Sequence, residues 1–297
     1  MAAKTAMIAL VGRPNVGKST LTNALVGEKV AIVTDKPQTT RSRIVGVVTR
    51  GETQLVLLDT PGFHKAQTRL GDYMVRVVRE SVADVDAVVL VVEPTDRVGT
   101  QEELLLERIR ASGAPAVLAV NKIDTVPREK LLPVIAAYAG SYDFAAVVPL
   151  SARTGEGTDL LLEELEKFAQ EGEFLFPEDE YTNQTLRQMS SELIREKLLQ
   201  CLDKEIPHGT AVEITAYRRR EDGVTEIEAV IYCEKASHKG IIIGKNGAML
   251  KKIGSRARPE LEELAGGPVY LQTWVRVKEN WRDSDVLVRN MGYRDDE

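Results

Sequence analysis

The chain has 297 residues, 43% of them apolar and 28% charged, with a formal net charge of −6. This is the composition of a water-soluble globular protein of about two domains. No stretch approaches the roughly 18 apolar residues of a membrane span, and no charged-then-apolar leader opens the chain, so neither a membrane-spanning nor an exported protein is expected. Cys201 and Cys233 fit no metal spacing and are expected to stay reduced in the cytosol.

Residues 6–11 form an apolar run that predicts a buried strand, and a helix is predicted to begin at Ser19. Between them lies Gly12-Arg13-Pro14-Asn15-Val16-Gly17-Lys18-Ser19, a glycine-bounded loop at a strand-to-helix turn. Its backbone N–H groups converge on one spot, and glycine lets the backbone approach phosphate oxygens closely. Asn15, Val16, Gly17, Lys18, Ser19 and Thr20 are therefore the expected polyphosphate cradle. Lys18 would reach the β- and γ-phosphates, and the Ser19 hydroxyl is placed to ligate Mg²⁺.

Residues 34–43 are polar, without apolar period, and should form a switch loop. Strands are predicted at 44–50 and 54–59, joined by the hairpin turn Gly51-Glu52-Thr53, and further strands at 86–92, 115–121 and 145–150, with helices between most of them. The expected fold is α/β with a mostly parallel sheet and ligand loops at the carboxyl ends of the strands.

Three of those ends carry polar motifs. In Asp59-Thr60-Pro61-Gly62, Asp59 can hold Mg²⁺ through water and Gly62 can offer its N–H to a γ-phosphate; alone, such residues are more often just a turn, but their place after the strand that follows the phosphate-loop helix and the hairpin edge reverses that. In Asn121-Lys122-Ile123-Asp124, the Asp124 carboxylate can accept from two guanine donors that adenine does not present, Asn121 can tie the loop to the phosphate loop, and the Lys122 stem can cover the base. The competing reading makes Asp124 a helix cap. Ser151-Ala152 supplies a backbone N–H for the guanine 6-oxo group.

In this order the motifs resemble those of the translation-factor-related GTPases over the whole first half. That resemblance implies GTP and GDP as ligands, Mg²⁺ as metal, and Thr40 as the Mg²⁺ and γ-phosphate contact, with Thr39 as the alternative; Lys18, Thr40 and Gly62 then carry the catalysis, and Ser19, Thr40 and Asp59 the metal. Asn15 matches an asparagine that helps to bind K⁺ in related GTPases. Phe63 stands where many GTPases carry a water-orienting Gln, so basal turnover should be slow, about 10⁻⁴ to 10⁻² s⁻¹. His64 beside it is either a substitute or an exposed loop residue.

From 171 to 181 the chain is acidic and broken by Pro177, which reads as a linker. Beyond it come a helix at 184–203, strands near 209–218 and 224–234, a short helix ending at Ile243, a longer one to about Leu264 and a strand at 269–277. Lys235 to Arg258 contains seven Lys or Arg and no acid, a basic stripe hidden in the negative total. Inside it, Gly244-Lys245-Asn246-Gly247 can seat a phosphodiester backbone, and Ile242 and Ile243 could floor a groove for bases. A lone Gly-x-x-Gly is more often a plain helix connector, but the αββααβ order and the acid-free basic stretch favour the nucleic-acid reading.

The αββααβ order resembles a type II KH module, an α+β fold that grips about four nucleotides. The expected division is a GTPase domain at 1–171, a linker at 172–183, a KH domain at 184–283 and a tail at 284–297. The two halves together resemble the bacterial Era GTPases along essentially the full length. This implies a cytoplasmic factor that binds the 3′ end of small-subunit ribosomal RNA and helps the small ribosomal subunit to mature, with peripheral association at the inner face of the cell membrane as a further family expectation and no DNA partner. The RNA contacts would be Ile242, Ile243, Gly244, Lys245, Asn246, Gly247, Lys251 and Lys252. Era relatives often carry Gly-Lys-Gly-Gly; the Asn246 found here tolerates left-handed geometry. Trp274, in a strand, is expected in the core, and Trp281 either stacks on RNA or packs the tail. Arg218-Arg219-Arg220 reads as a solvated hairpin tip. The rival reading is a signalling GTPase whose second half binds a protein or membrane partner.

Overall fold

The computed structural model describes residues 2–63 and 66–294, so His64 lies outside the described residues. The chain forms two compact units, Met1–Ala66 with Gly71–Asn183, and Gln67–Leu70 with Gln184–Glu297.

The first unit runs β1 (Lys4–Val11), α1 (Lys18–Val26), β2 (Ile44–Arg50), β3 (Thr53–Asp59), α2 (Arg69–Ala83), β4 (Ala87–Val92), α3 (Thr100–Ser112), β5 (Ala116–Val120), α4 (Leu131–Ala139), β6 (Ala146–Pro149), α5 (Thr158–Glu166) and β7 (Gln170–Glu171). The sheet order among the described residues is β2-β3-β1-β4-β5-β6. β1 lies parallel to both β3 and β4, while β2 closes one edge antiparallel to β3. Alternation along β1 sends Ile8 and Leu10 into one core layer and Ala9 and Val11 into the other, so the sheet is covered on both faces. Because β3 and β4 flank β1, the chain reverses direction across the sheet at the carboxyl end of β1, where open α/β sheets bind ligands.

The stretch expected as a linker is tied to this unit. The Val47 N–H donates to the Tyr181 carbonyl at 2.9 Å and the Thr182 hydroxyl to the Val45 carbonyl at 2.8 Å, giving edge strand β2 a partner. The Gln54 amide exchanges two bonds with the Phe176 backbone, at 2.8 and 2.9 Å. β7 pairs antiparallel with the start of β1. These attachments use backbone groups, which the acidic, Pro-broken composition does not reveal.

The second unit contains α6 (Leu186–Cys201), β8 (Ala211–Arg219), β9 (Thr225–Cys233), α7 (Ala236–Ile243), α8 (Ala248–Ala265), β10 (Val269–Val277) and α9 (Asp285–Asn290). Thr185 and Gln188 cap α6 reciprocally. The sheet order is β10-β9-β8, with β10 parallel and β8 antiparallel to β9. The core joins Leu193, Ile194 and Leu198 of α6 to Ile227, Ala229 and Ile231 of β9 and Ile253, Ala257 and Leu261 of α8.

Trp274 corrects the sequence reading, whereas Trp281 takes the second of its two expected roles, packing the tail. Trp274 is 43% exposed, because its position on β10 alternates away from core-facing Val275. Trp281 is fully buried; its indole N–H donates to the Gly209 carbonyl at 2.9 Å and its ring stacks on Tyr293 at 6.0 Å. The stretch expected as a tail is thus packed through Val288 and Tyr293. Trp281→Ala should destabilise the second unit by about 3–5 kcal/mol, read as an earlier urea transition in circular dichroism; an unchanged midpoint would contradict this packing role.

Candidate functional site

Phosphate loop residues 12–17 follow β1 and end on α1, as their glycines require. A Cβ on Gly12 would stand 2.4 Å from the Val91 carbonyl oxygen, and one on Gly17, at φ 97°, would stand 2.4 Å from the Asn121 side-chain nitrogen. Lys18 is buried, its ammonium donating to the carbonyls of Gly12 at 3.1 Å and Arg13 at 3.0 Å. Pro14, Thr20, Thr34, Asp35 and Thr40 are among the residues that line the adjoining cavity of about 410 Å³.

At one end of that cavity three expected metal ligands meet. The Ser19 hydroxyl donates to Asp59 at 2.6 Å and lies 2.8 Å from the Thr40 hydroxyl. Thr39 lines the same cavity but bonds Thr34 at 2.6 Å and the Lys36 carbonyl at 2.7 Å, so Thr40 is the threonine that meets Ser19. The other Asp59 oxygen, Oδ1, is buried without a hydrogen-bond partner among the described residues. Three hard oxygen donors with a buried spare carboxylate oxygen fit Mg²⁺. Burial pushes the Asp59 carboxyl up to about 6 against the opposing pull of Lys18 and Ser19, and burial lowers the Lys18 ammonium to about 8 against the pull of Asp59.

Gly62 passes so close to the phosphate loop that a Cβ would meet Pro14 Cα at 2.6 Å, and the next N–H, that of Phe63, donates to the Gly12 carbonyl at 3.0 Å. The Phe63 ring is buried in the core with the Arg108 guanidinium 4.5 Å from its centroid. It therefore points away from the cavity.

Asn121 binds the loops together. Its side-chain N–H donates to the Val16 carbonyl at 2.9 Å, and its oxygen accepts from the Ala152 N–H at 2.9 Å. Lys122, at φ 64°, donates to the Asn15 carbonyl at 2.6 Å and pairs with Glu93. The Ser151 hydroxyl donates to one Asp124 oxygen at 2.7 Å, which orients that exposed carboxylate rather than capping a helix. The Asn15 side chain donates to the Asp35 carbonyl at 2.7 Å, a tether to residues 34–43 that no spacing in the chain announces.

The second unit offers a separate groove. Gly244 (φ 73°), Asn246 (φ 51°) and Gly247 (φ 78°) all take left-handed backbone, so Asn246 keeps the turn intact. A Cβ on Gly244 would press on Met249 at 2.8 Å. Lys245, Lys251 and Lys252 are exposed, and Ile243 is half-buried. Ile242 corrects the sequence reading: fully buried in the core, it offers no surface, while its neighbour Ile241 is 49% exposed. Gly247, Lys251, Ser255 and Arg258 along α8 face Leu271 and Thr273 of β10 across about 470 Å³. Ser255 escaped the sequence reading and Arg258 entered it only as part of the basic stripe, although their spacing from Lys251 places all three on one helical face. Pro259 within α8 donates no N–H, which releases the Ser255 carbonyl from the helical ladder.

Residues 7–122 match the 50S ribosome-binding GTPase family and residues 205–282 the KH domain. GTPase Era of Ruminiclostridium cellulolyticum is 47% identical over 294 residues, 99% of either chain. The chain belongs to the Era GTPase family. GTPase Era of Clostridium kluyveri is 46% identical over 291 residues, 98% of this chain and 99% of that one. Two Era crystal structures, an Aquifex aeolicus variant bound to GDP and AlF4⁻ and an Era in complex with MgGDPNP and nucleotides 1506–1542 of 16S ribosomal RNA, each superpose with a TM-score of 0.94 at 37% identity, over 98% of this chain and 99% of theirs. As an Era GTPase the protein hydrolyses GTP, on an α/β domain followed by a KH domain.

The buried charges generate a prediction. A carboxyl raised from 3.8 to about 6 by folding contributes stability only at low pH, and that contribution is lost as pH rises through about 6. In protein stripped of nucleotide and Mg²⁺, Asp59→Asn should raise stability by about 1–3 kcal/mol at pH 7.5, with the gain shrinking as pH falls below about 6. Thermal melts across pH check this; a variant less stable than wild type at pH 7.5 would contradict it.

Proposed function

We propose that this Era family GTPase is a nucleotide switch that binds the single-stranded 3′ end of small-subunit ribosomal RNA through its KH groove and assists small-subunit maturation. The observation that carries the switch is the meeting of Ser19, Thr40 and Asp59: Thr40 belongs to the loop at 34–43, so the same contact that holds the metal senses whether a γ-phosphate is present.

Ser19 and Thr40 hold Mg²⁺ and Asp59 supports it through water; bound there, the ion neutralises charge on the β- and γ-oxygens. Lys18 and the amides of Asn15, Val16, Gly17, Ser19 and Thr20 stabilise the transferring phosphoryl group, and the Gly62 N–H faces the γ-phosphate. Water attacks in line, the bond to the β-phosphate oxygen breaks, and GDP leaves. The free Asp124 oxygen and its Ser151-bonded partner accept from guanine, Ala152 donates to the 6-oxo group, and Asn121 and Lys122 hold this pocket against the phosphate loop.

With Phe63 in the core, no side chain at that position orders the attacking water, and the Asn15 match supports K⁺ as the assisting charge. Hydrolysis should be faster in K⁺ than in Na⁺ at equal ionic strength; equal rates would remove K⁺ from the site.

RNA binding is supported by the basic groove and by the relative seen with 16S ribosomal RNA nucleotides and MgGDPNP. No helix among the described residues is long and apolar enough to cross a membrane, and we place the protein in the cytoplasm, with association at the inner membrane face only peripheral. Lys245→Ala with Lys251→Ala should weaken binding of a 3′-terminal 16S oligonucleotide and make its log–log salt slope shallower by about 1.4, two contacts at about 0.7 each. Fluorescence anisotropy with the protein in its GTP-analogue and GDP forms reads both the slope and the nucleotide dependence; an unchanged slope would place the RNA elsewhere.

A further inference from the structure

The sheet of the second unit has two unlike faces. Val269, Leu271 and Val275 of β10 turn into the core, so Tyr270, Gln272, Trp274 and Arg276 share the opposite face. Tyr270 is 44% and Trp274 43% exposed, about 13 Å apart along the strand. In register beside them on β9 stand Glu226, Glu228, Val230 and Tyr232.

The two tyrosine rings on this face are held in place. The Arg220 guanidinium lies 4.9 Å from the Tyr270 centroid while bonding Glu226 at 2.9 Å, and the Gln272 amide donates to the Tyr270 hydroxyl at 2.9 Å. The Tyr232 hydroxyl donates to Glu213 at 2.7 Å, with the Lys278 ammonium 5.4 Å from its ring. Glu226 and Glu213 are thereby engaged, and against the remaining acid, Glu228, stand the exposed Arg218 and Arg276. β10 also lends Leu271 and Thr273 to the KH groove. Groove and aromatic face are therefore the two sides of a single edge strand.

We infer that the outer face of β8–β10, centred on Tyr270 and Trp274, is a second single-stranded RNA platform that stacks bases adjoining the segment held in the groove. This rests on the RNA-binding reading above. Exposed rings interleaved with guanidinium groups and a side-chain amide match the chemistry of bases and phosphates, as on sheets that stack two or three bases on strand aromatics. Exposed Arg218 and Arg276 on this face, and the strand it shares with the basic groove, favour a polyanion over a protein partner. RNA leaving the groove reaches the platform by passing over β10.

The chain carries its own probe, because of its two tryptophans Trp281 is fully buried and Trp274 is exposed. The full-length protein in its GTP-analogue form is titrated with a single-stranded RNA of about twelve nucleotides from the 16S 3′ end, long enough to exceed the roughly four nucleotides of a KH groove. The expected result is quenching of the solvent-exposed emission, absent in Trp274→Leu. Anisotropy should show at least about fivefold weaker binding in Tyr270→Ala with Trp274→Ala, the low end for one stacked base, and near wild-type binding in Trp274→Phe, which keeps a ring. Wild-type affinity in the double alanine variant, without quenching in the parent, overturns the platform while leaving the groove reading intact if Lys245→Ala with Lys251→Ala still loses RNA. No binding by the wild type overturns both. An RNA-independent dimer in sedimentation that Trp274→Ala dissociates would assign the face to a second copy and overturn the proposal as well.

Discussion

The Asn121 carboxamide donates to the Val16 carbonyl and accepts from the Ala152 N–H, and Gly17 lacks the Cβ that would collide with it. Three loops from the ends of β1, β5 and β6 are thereby fixed to one buried group. Without that junction, the phosphate contacts and the guanine contacts would belong to independently moving segments, and binding one end of a nucleotide would do little to place the other. The parallel sheet brings these loops to one edge; the carboxamide sets them in register.

Buried opposite charges on the other side of the cavity serve the same end by a different route. Lys18 and Asp59 are each taken from water into a site where burial is the dominant influence on both, and each is displaced toward its neutral form. A polyphosphate and a divalent cation supply the missing counter-charges together. On the proposed mechanism nucleotide and metal would then bind as a pair, with the hydroxyls of Ser19 and Thr40 linking that pair to residues 34–43.

Much of this was legible because the motifs report backbone geometry through residue type: glycine where the chain must approach phosphate, a polar residue at each strand end, period-two and helical patterns between. The strands of the parallel sheet lie within about two residues of where alternation and turns placed them. What escaped depends on contacts distant in the chain. Residue type does not separate Thr39 from Thr40; the separation comes from Ser19, 21 residues away, which meets the Thr40 hydroxyl. Trp274 leaves its expected core position because strand parity is set by β9, and Trp281 settles on tail packing because the stretch after β10 folds back to Gly209. Ile242 and Ile241 differ by one helical step, about 100°, which separates core from surface. The attachment of residues 173–182 runs through backbone bonds, to which composition is blind.

That attachment has a consequence for the order of synthesis. The outer edge of β2 is complete only once Tyr181 and Thr182 have been added, and β7 joins β1 shortly before. A nascent chain containing every nucleotide-binding motif, up to Ser151 and Ala152, still exposes an unpaired strand edge for some thirty further residues. The emerging first half is therefore most vulnerable to pairing with another nascent chain in that interval, and the acidic stretch that ends it brings both the missing hydrogen-bond partners and a negative charge that repels such neighbours.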